Sequence, residues 1–572
     1  MADDAFHTFK RECSGAIERA LKELKAETPV VLERPPEGMG DLAFPCFPLA
    51  KILRKSPDAI AKDIAARLGP SGMVEKVEPK GGYVNFTVKF GSLAQGALQK
   101  VLEEKGKYGR GDEKTTRILL EHTSVNPTGP IHVGRARNPV IGDTLGRILR
   151  QAGYPVTTEF YVNDSGRQVA MMCWGAKNLK LESEPQRPRD DYRYVLYYQQ
   201  AHKLLEEDPE KTKEVDDLLY KLEHGDPDTV EMVRANCEKV LAGIMESLHG
   251  VNVHVDGFTW ESKFVQDGSV EKIIERLKRS EYCREEGGAF HLELASFGIT
   301  GRETKWIFAR SDGTSVYTTR DLAYHMDKFT RADVAINILG EDHKLAMQEL
   351  AAALSIMGVT KKPEIVYYAF VSLPEGRMST RKGRVVNLDD LVEEAVDRAY
   401  EEVKKRRTDL SEERMREISR IVGIGSLRYN IVRVQAEKQI VFKWEDALNF
   451  EGSSAPFVQY AHARAYSILA KAGHRDGSFD AGALTSPHEK ALVMIIASFP
   501  SVIEDCAENR RAHVLAVYAQ ELAAEFNHFY RYVPVLKAEG NARDARLALV
   551  EASMWTLRNA LNCLGVDAPE EM

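Results

Sequence analysis

No stretch of this chain approaches the roughly 18 consecutive apolar residues that a membrane-crossing helix needs, so a helical membrane protein is excluded. The opening Met1-Ala-Asp-Asp-Ala-Phe6 also lacks the basic and then apolar pattern of a secretory leader, and a cytoplasmic chain is expected. Cysteine is sparse: seven residues, at 13, 46, 173, 237, 283, 506 and 563, never form a Cys-x-x-Cys pair. That spacing argues against both a disulfide framework and a zinc site, and no metal cage is expected in the chain itself. Positive charge is not in surplus either. With 78 Lys and Arg against 86 Asp and Glu, the formal net charge is −8, so any polyanion must meet a local basic surface. Neither an internal repeat nor a low-complexity tract is present. At 572 residues the chain is too long for one core, and three or four folding units are expected.

The most informative stretch is Val125-Asn-Pro-Thr-Gly-Pro-Ile-His132-Val-Gly-Arg135-Ala-Arg-Asn138. Before it, Arg117-Ile-Leu-Leu-Glu121 reads as a short buried strand. After it, Val140, Ile141, Leu145, Ile148 and Leu149 recur with helical spacing as far as Gly153. The stretch is therefore a strand-to-helix turn, which aims the N–H groups of the first helical turn at whatever lies above the sheet and favours an anion there. Phosphate is the natural candidate. His132 and Arg135, three apart, are expected to share a face of that first turn, with Gly134 allowing close approach to the backbone.

A second cationic segment, Gly376-Arg-Met-Ser-Thr-Arg-Lys-Gly383, crowds Arg377, Arg381 and Lys382 between two glycines, where their mutual repulsion calls for an anion. A triphosphate would relieve it. Asp312-Gly-Thr-Ser-Val-Tyr317-Thr-Thr-Arg-Asp321 places Tyr317 and Asp321 four apart on one helical face. Glu121 ends the first strand beside the turn, with Ser124 and Asn126 as polar neighbours.

Taken in order, apolar residues from Phe6 to Leu24, short helices near 49–53 and 56–68, and the alternating strand Gly82–Val88 form a small α+β module that ends near 110 in a glycine-rich linker. Strand 117–121, helix 133–152 and strand 156–162 make a βαβ unit, and Val334–Leu339, a helix to Met357 and Glu364–Leu373 make a second half-sheet. Residues 186–250 are charged and helical, like an insertion. From Asn387 onward the pattern is helical, with no convincing strand. The expected class is α/β: a doubly wound parallel, Rossmann-type domain at 111–390, an α+β module at 1–110 and an all-α bundle at 391–572.

His-Val-Gly-Arg135 resembles the HIGH motif of class I aminoacyl-tRNA synthetases, and the flanking Asn-Pro-Thr-Gly-Pro and Ala-Arg-Asn resemble the arginyl-tRNA synthetase family. Met378-Ser-Thr-Arg-Lys-Gly383 is similar to that family's form of the KMSKS motif. Arg135 stands where the motif has histidine and Arg377 where it has lysine; both keep or add the positive charge that phosphate needs. The resemblance implies ATP binding by Pro127, Gly129, His132, Gly134, Arg135, Asn138, Met378, Ser379, Arg381 and Lys382, with His132, Gly134, Arg135, Arg381 and Lys382 serving the reaction. It implies L-arginine binding by Glu121, Ser124, Asn126, Gln168, Tyr317, Asp321 and Glu341, and magnesium arriving with ATP. A guanidinium suits such carboxylates because it meets them bidentately, which lysine cannot do.

Arg420, Arg428, Arg433, Lys438 and the segment Gln459-Tyr-Ala-His-Ala-Arg464 offer basic and aromatic groups of the kind that meet RNA. This segment and the Gly-Val-Asp-Ala-Pro-Glu-Glu-Met572 ending resemble the family's anticodon-binding domain, and Gly40-Asp-Leu-Ala-Phe44 its N-terminal module. The likeness thus implies contacts to tRNA-Arg by Phe44, Tyr460, Arg464 and Met572, in a monomeric arginine–tRNA ligase. One rival is a synthetase-derived tRNA-binding regulator without activation chemistry. Another is a nucleotidyltransferase on the same type of sheet, which would need no helical last third.

Overall fold

Ile118–Thr123 (β4) is buried at all of its positions, because helices cover both faces of the sheet to which it is central. The computed structural model describes residues 4–36, 38–300, 305–373, 376–377, 386–473 and 477–572. Ahead of β4, Leu42–Pro45 (β1), Val74–Lys80 (β2) and Tyr83–Val88 (β3) form an antiparallel sheet in the order β1-β3-β2. Helices Ala5–Glu23 (α1) and Phe90–Glu104 (α2) belong to the same module. After β4 come Val156–Val162 (β5), Gly257–Trp260 (β6), Val334–Gly340 and Glu364–Tyr368. With Cys283–Glu286 (β7), Ala289–Glu293 (β8) and Lys305–Ala309 (β9) forming a separate antiparallel sheet, the strands at 334–340 and 364–368 become β10 and β11.

The main sheet runs β11-β10-β4-β5-β6, every neighbouring pair parallel. The chain thus builds outward from β4 to β6 and then returns to the other side with β10. The strand order reverses between β4 and β10, and ligands of open parallel sheets bind at the carboxyl ends of such a pair. Helix Arg137–Gln151 (α3) lies so close over these strands that a Cβ at Gly142 would stand 1.9 Å from the Cβ of His122.

Helices Arg167–Asn178 (α4), Asp190–Glu207 (α5), Pro209–Glu223 (α6) and Pro227–Gly250 (α7) lie between β5 and β6; the stretch read as an insertion is α5 to α7. Tyr317–Arg331 (α8) and Lys344–Ile356 (α9) flank β10. The last third comprises Leu388–Arg406 (α10), Glu412–Val432 (α11), Ala455–Ala472 (α12), Pro487–Asn509 (α13), Ala512–Tyr532 (α14) and Gly540–Cys563 (α15). The first module docks on this bundle: the Tyr108 hydroxyl donates to the Ile496 carbonyl at 3.0 Å, and the Asn559 amide donates to the carbonyls of Lys105 (2.8 Å) and Tyr108 (3.1 Å).

Four details differ from the sequence reading. The helix after the turn begins at Arg137, because Val133–Arg135 first makes a 3₁₀ turn. The strand read as 364–373 is two: β11 stays in the main sheet, while Val371–Leu373 (β12) leaves it to pair with Gly376–Arg377 (β13) and Ile440–Val441 (β14). β14 is therefore a strand within the otherwise helical last third. The sheet β7-β8-β9 and strand β6 carried no signal strong enough to be read, being short and only partly buried.

Candidate active site

The turn at 132–135 sits at the carboxyl end of β4. His132 has extended backbone and caps the 3₁₀ turn: its Nδ1 accepts from the Gly134 amide at 3.0 Å, which assigns the ring proton of the neutral imidazole to Nε2. Arg135 is exposed and lies near the buried Tyr368, whose hydroxyl burial pushes above its ordinary pKa and Arg135 pulls back down. Pro127 and Gly129 are buried beneath the turn. Asn138 is buried too and donates to the His122 carbonyl at 3.0 Å, so it braces helix to strand.

The turn is tied to residues 386–388, which follow the second cationic segment in the chain. The Val133 amide donates to the Val386 carbonyl (3.1 Å), the Leu388 amide donates to the Ile131 carbonyl (2.8 Å), and His132 bridges Asn387. Arg377 lies in β13, while Met378, Ser379, Arg381 and Lys382 lie outside the described residues. Arg137 adds a cross-brace. Fully buried, its guanidinium donates to the carbonyls of Ala369, Lys438 (2.9 Å) and Gln435 (3.2 Å), which joins the signature helix to the segments leading into β12 and β14. Burial lowers the Arg137 pKa to about 10, against the opposing pull of Tyr368, Glu437 and Glu341.

Glu121 and Asp321 belong to one polar network, buried at Glu121, Lys328, Asn337 and His325 and partly open at Asp321. One Glu121 oxygen accepts from the Lys328 ammonium and from the Asn337 amide (2.8 Å); the same amide nitrogen lies 3.2 Å from His325 Nε2, and His325 Nδ1 lies 3.2 Å from Asp321. Burial pushes the Asp321 carboxyl up, but His325, Lys328 and His343 outweigh it and hold the group below the ordinary carboxylate range. Tyr317, one turn earlier on α8, is 70% exposed. Asn126 and Gln168 meet directly, the Asn126 amide donating to the Gln168 carbonyl oxygen at 2.7 Å. Ser124 is half-buried between β4 and the turn. Glu341, in the 3₁₀ turn after β10, faces Lys344 at 3.7 Å.

Sequence reading missed a further acid. Glu261, just after β6, is buried and paired with Arg320; burial pushes its pKa up to about 7, against the pull of Arg320 and with help from Asp164 and Asp321. Tyr161 of β5 stacks on Tyr324 at 4.4 Å, and its buried hydroxyl has no partner among the described residues; Glu261, Asp321, Arg320 and Glu121 all act on it electrostatically. Arg320 was visible in the run Thr-Thr-Arg320-Asp321, but nothing in the sequence pairs it with a residue 59 positions earlier.

The basic and aromatic groups of the last third divide. Arg428 is fully buried, paired with Asp143 of α3 at 2.6 Å and donating to the carbonyls of Leu564 and Val251; this corrects its reading as an RNA contact. Gln459 and His462 also point inward, holding the Asp567 and Pro569 carbonyls at 2.9 and 2.8 Å. Tyr460 and Arg464 point outward. The Arg464 guanidinium lies 4.6 Å from the ring centres of both Tyr460 and Tyr530, in a cavity of about 1000 Å³ that Met572 also lines. Phe44 is 2% exposed inside the first module, so its ring cannot meet RNA as expected; Phe47 and Tyr83, edge to face at 5.2 Å, are the more accessible aromatics there.

A doubly wound parallel sheet with a His-x-Gly turn at its switch point, held by residues 386–388, is the architecture of a class I aminoacyl-tRNA synthetase. The family described as tRNA synthetases class I (R), catalytic domain, matches residues 97–444; the DALR anticodon binding domain matches 458–572, and the arginyl tRNA synthetase N terminal domain matches 10–88. An arginine–tRNA ligase of Methanocella arvoryzae is 50% identical, covering 92% of each chain, and one of Methanothermobacter thermautotrophicus is 43% identical over 99% of this chain and 100% of its own. The solved Thermus thermophilus arginyl-tRNA synthetase superposes with a TM-score of 0.85 at 32% identity, covering 98% of this chain and 100% of that one. The chain belongs to the arginyl-tRNA synthetase family.

Proposed function

We propose that this chain is an arginine–tRNA ligase that forms arginyl-adenylate from L-arginine and ATP and then passes the arginyl group to the terminal ribose of tRNA-Arg. The observation that carries the reading is the convergence, at one switch point, of the His132–Arg135 turn and a polar cleft holding the buried Glu121 and the partly exposed Asp321. The arginine carboxylate attacks the α-phosphorus in line, an oxygen–phosphorus bond forms, and pyrophosphate leaves. A ribose hydroxyl then attacks the acyl carbon and AMP departs. No covalent nucleophile from the protein is required; positioning and charge stabilisation suffice.

His132 Nε2–H and the Arg135 guanidinium are suited to phosphate oxygens, the turn's own amides being spent on holding its shape, with Arg381 and Lys382 supplying charge from the second segment. Magnesium, held by ATP phosphates, adds further charge neutralisation when bound. Asp321 and Glu121, with Tyr317, Ser124, Asn126, Gln168 and Glu341 around the same cleft, take the arginine. Tyr460, Arg464 and Met572 form a surface for unpaired tRNA bases. In this reading the enzyme works as a cytoplasmic monomer.

The test is arginine-dependent ATP–pyrophosphate exchange with and without tRNA-Arg. Exchange in the presence of tRNA supports the reading. Silence in both conditions alongside tight tRNA binding points instead to a tRNA-binding regulator. Arg381→Ala and Lys382→Ala, assayed separately, check the second segment: if neither loses more than about tenfold, roughly 1.4 kcal/mol, its assignment falls.

A further inference from the structure

The start of the insertion, residues 187–195, touches both the 125–138 block and the start of α10. On one side, Val195 lies against the signature block so tightly that a Cβ at Gly129 would stand 2.8 Å from its own Cβ. On the other, Arg187 and Arg189 reach the first turn of α10, which begins immediately after the segment paired with the His132 turn. Arg187 donates to Asp390 (3.0 Å) and Glu393 (2.7 Å). Arg189 donates to Asp389 (2.9 Å), Asp191 (2.6 Å) and Ser247 (2.7 Å). Asp389 accepts as well from Tyr192 (2.8 Å) and Ser247 (3.0 Å).

The Arg189 pairs are not solvated surface pairs, which contribute little, although Glu393, the outer partner of Arg187, is 63% exposed. The side chains of Arg189 and Asp389 are 17% and 14% exposed, and Asp191 is fully buried. Nor are they needed to start the helix. Asn387 and Asp390 already form a reciprocal capping box, and carboxylates in a first turn are favoured by the helix dipole. What the arginines add is location. Leu388, next to Asp389, is hydrogen-bonded to Ile131, next to His132. Only that step separates the arginine cluster from the turn.

Resting on the ligase reading above, we propose that Arg187 and Arg189 are positioning residues: the helical insertion sets where α10 begins and thereby fixes the 386–388 segment against the His132 turn. They touch no reactant. Their effect falls on the chemical step, because displacement of a reacting group by about 1 Å costs about a hundredfold in rate.

The test uses the full-length chain with tRNA-Arg in ATP–pyrophosphate exchange, comparing Arg189→Leu, Arg189→Lys, Asp389→Asn and the Arg189→Leu/Asp389→Asn double variant. Expected is a kcat about tenfold lower for Arg189→Leu, with KM for arginine and ATP within about twofold, partial recovery in Arg189→Lys, and a double variant no worse than the poorer single one. Wild-type kcat in Arg189→Leu, or a raised KM at constant kcat, overturns the proposal. So does a loss that tracks only the fraction of folded active sites. If Arg189→Leu does not fold, Arg187→Leu serves, since the Arg187 side chain bonds Asp390 and Glu393 of α10 and lies over the Tyr192 ring without reaching Asp191 or Ser247 among the described residues, and the same kcat-specific loss is expected. Exchange by the wild-type chain shows that the ligase reading stands; unaffected variants would then remove the positioning role alone.

Discussion

Lys328, with no solvent exposure, shares one carboxylate oxygen of Glu121 with the Asn337 amide, so the first acid of the cleft already has a cation of its own. The pair links α8 to β4 across the floor of the site. Removing one partner of a buried ion pair leaves the other charged and unmatched, which is costly even where the pair itself adds little. Lys328→Met is therefore expected to destabilise the chain by about 3–5 kcal/mol in urea unfolding. Adding Glu121→Gln should recover part of the loss, and strict additivity would show that the two do not act as a pair.

Asp321 is held below the ordinary carboxylate range and stays ionised at neutral pH. Asp321→Ala should raise KM for arginine roughly 100-fold, about 2.7 kcal/mol, while KM for ATP changes little. Equal changes in both constants would refute a role in amino-acid selection.

Glu261 titrates near 7 in the folded chain against an ordinary 4.5. Between those values the folded state binds more protons than the unfolded state, so its contribution to stability is greatest at low pH and is lost as pH rises toward about 7. Unfolding free energies measured at about pH 5 and about pH 7.5 should show a downward contribution in the wild type that Glu261→Gln lacks. Identical pH slopes in the two proteins would discard this assignment.

Arg428 bonds Asp143 on the signature helix, the Leu564 carbonyl in the last third and the Val251 carbonyl after the insertion. Arg428→Met should cost about 3 kcal/mol of stability, read in denaturant. Binding of tRNA per folded molecule should be unchanged, because the side chain is out of reach of solvent; a selective loss of tRNA affinity would restore its reading as an RNA contact.

Arg464 is held in place by the Tyr460 and Tyr530 rings and by its hydrogen bond to the Asn527 side chain at 2.5 Å, at the edge of the cavity that Met572 also lines. Arg464→Ala should raise KM for tRNA-Arg about tenfold, within the 1–3 kcal/mol of a stacking contact, with exchange kinetics at saturating tRNA unaltered. A change confined to exchange at saturating tRNA would place Arg464 outside the tRNA surface.

The local elements that carry the candidate residues were legible because those residues are neighbours in sequence. The strand–turn–helix around His132 follows from apolar periodicity, and Tyr317 and Asp321 from helical spacing. Glu261, Lys328 and Asn337 were not legible, because each acquires its meaning from a partner on another element. Phe44 and Arg428 show the opposite failure: residue type suggested a surface role, and packing placed both inside.

Local chemistry alone settled the parallel sheet, the strand and turn before the helix at 137–151 and the helical last third, since propensity and periodicity act over a few residues. Only the folded chain decided that the insertion braces α10, that the first module docks on the last, and that a lysine rather than solvent faces Glu121. Those outcomes depend on which distant groups share a desolvated space. There, an unmatched charge or an unfilled contact costs several kcal/mol, and no window of sequence contains both partners.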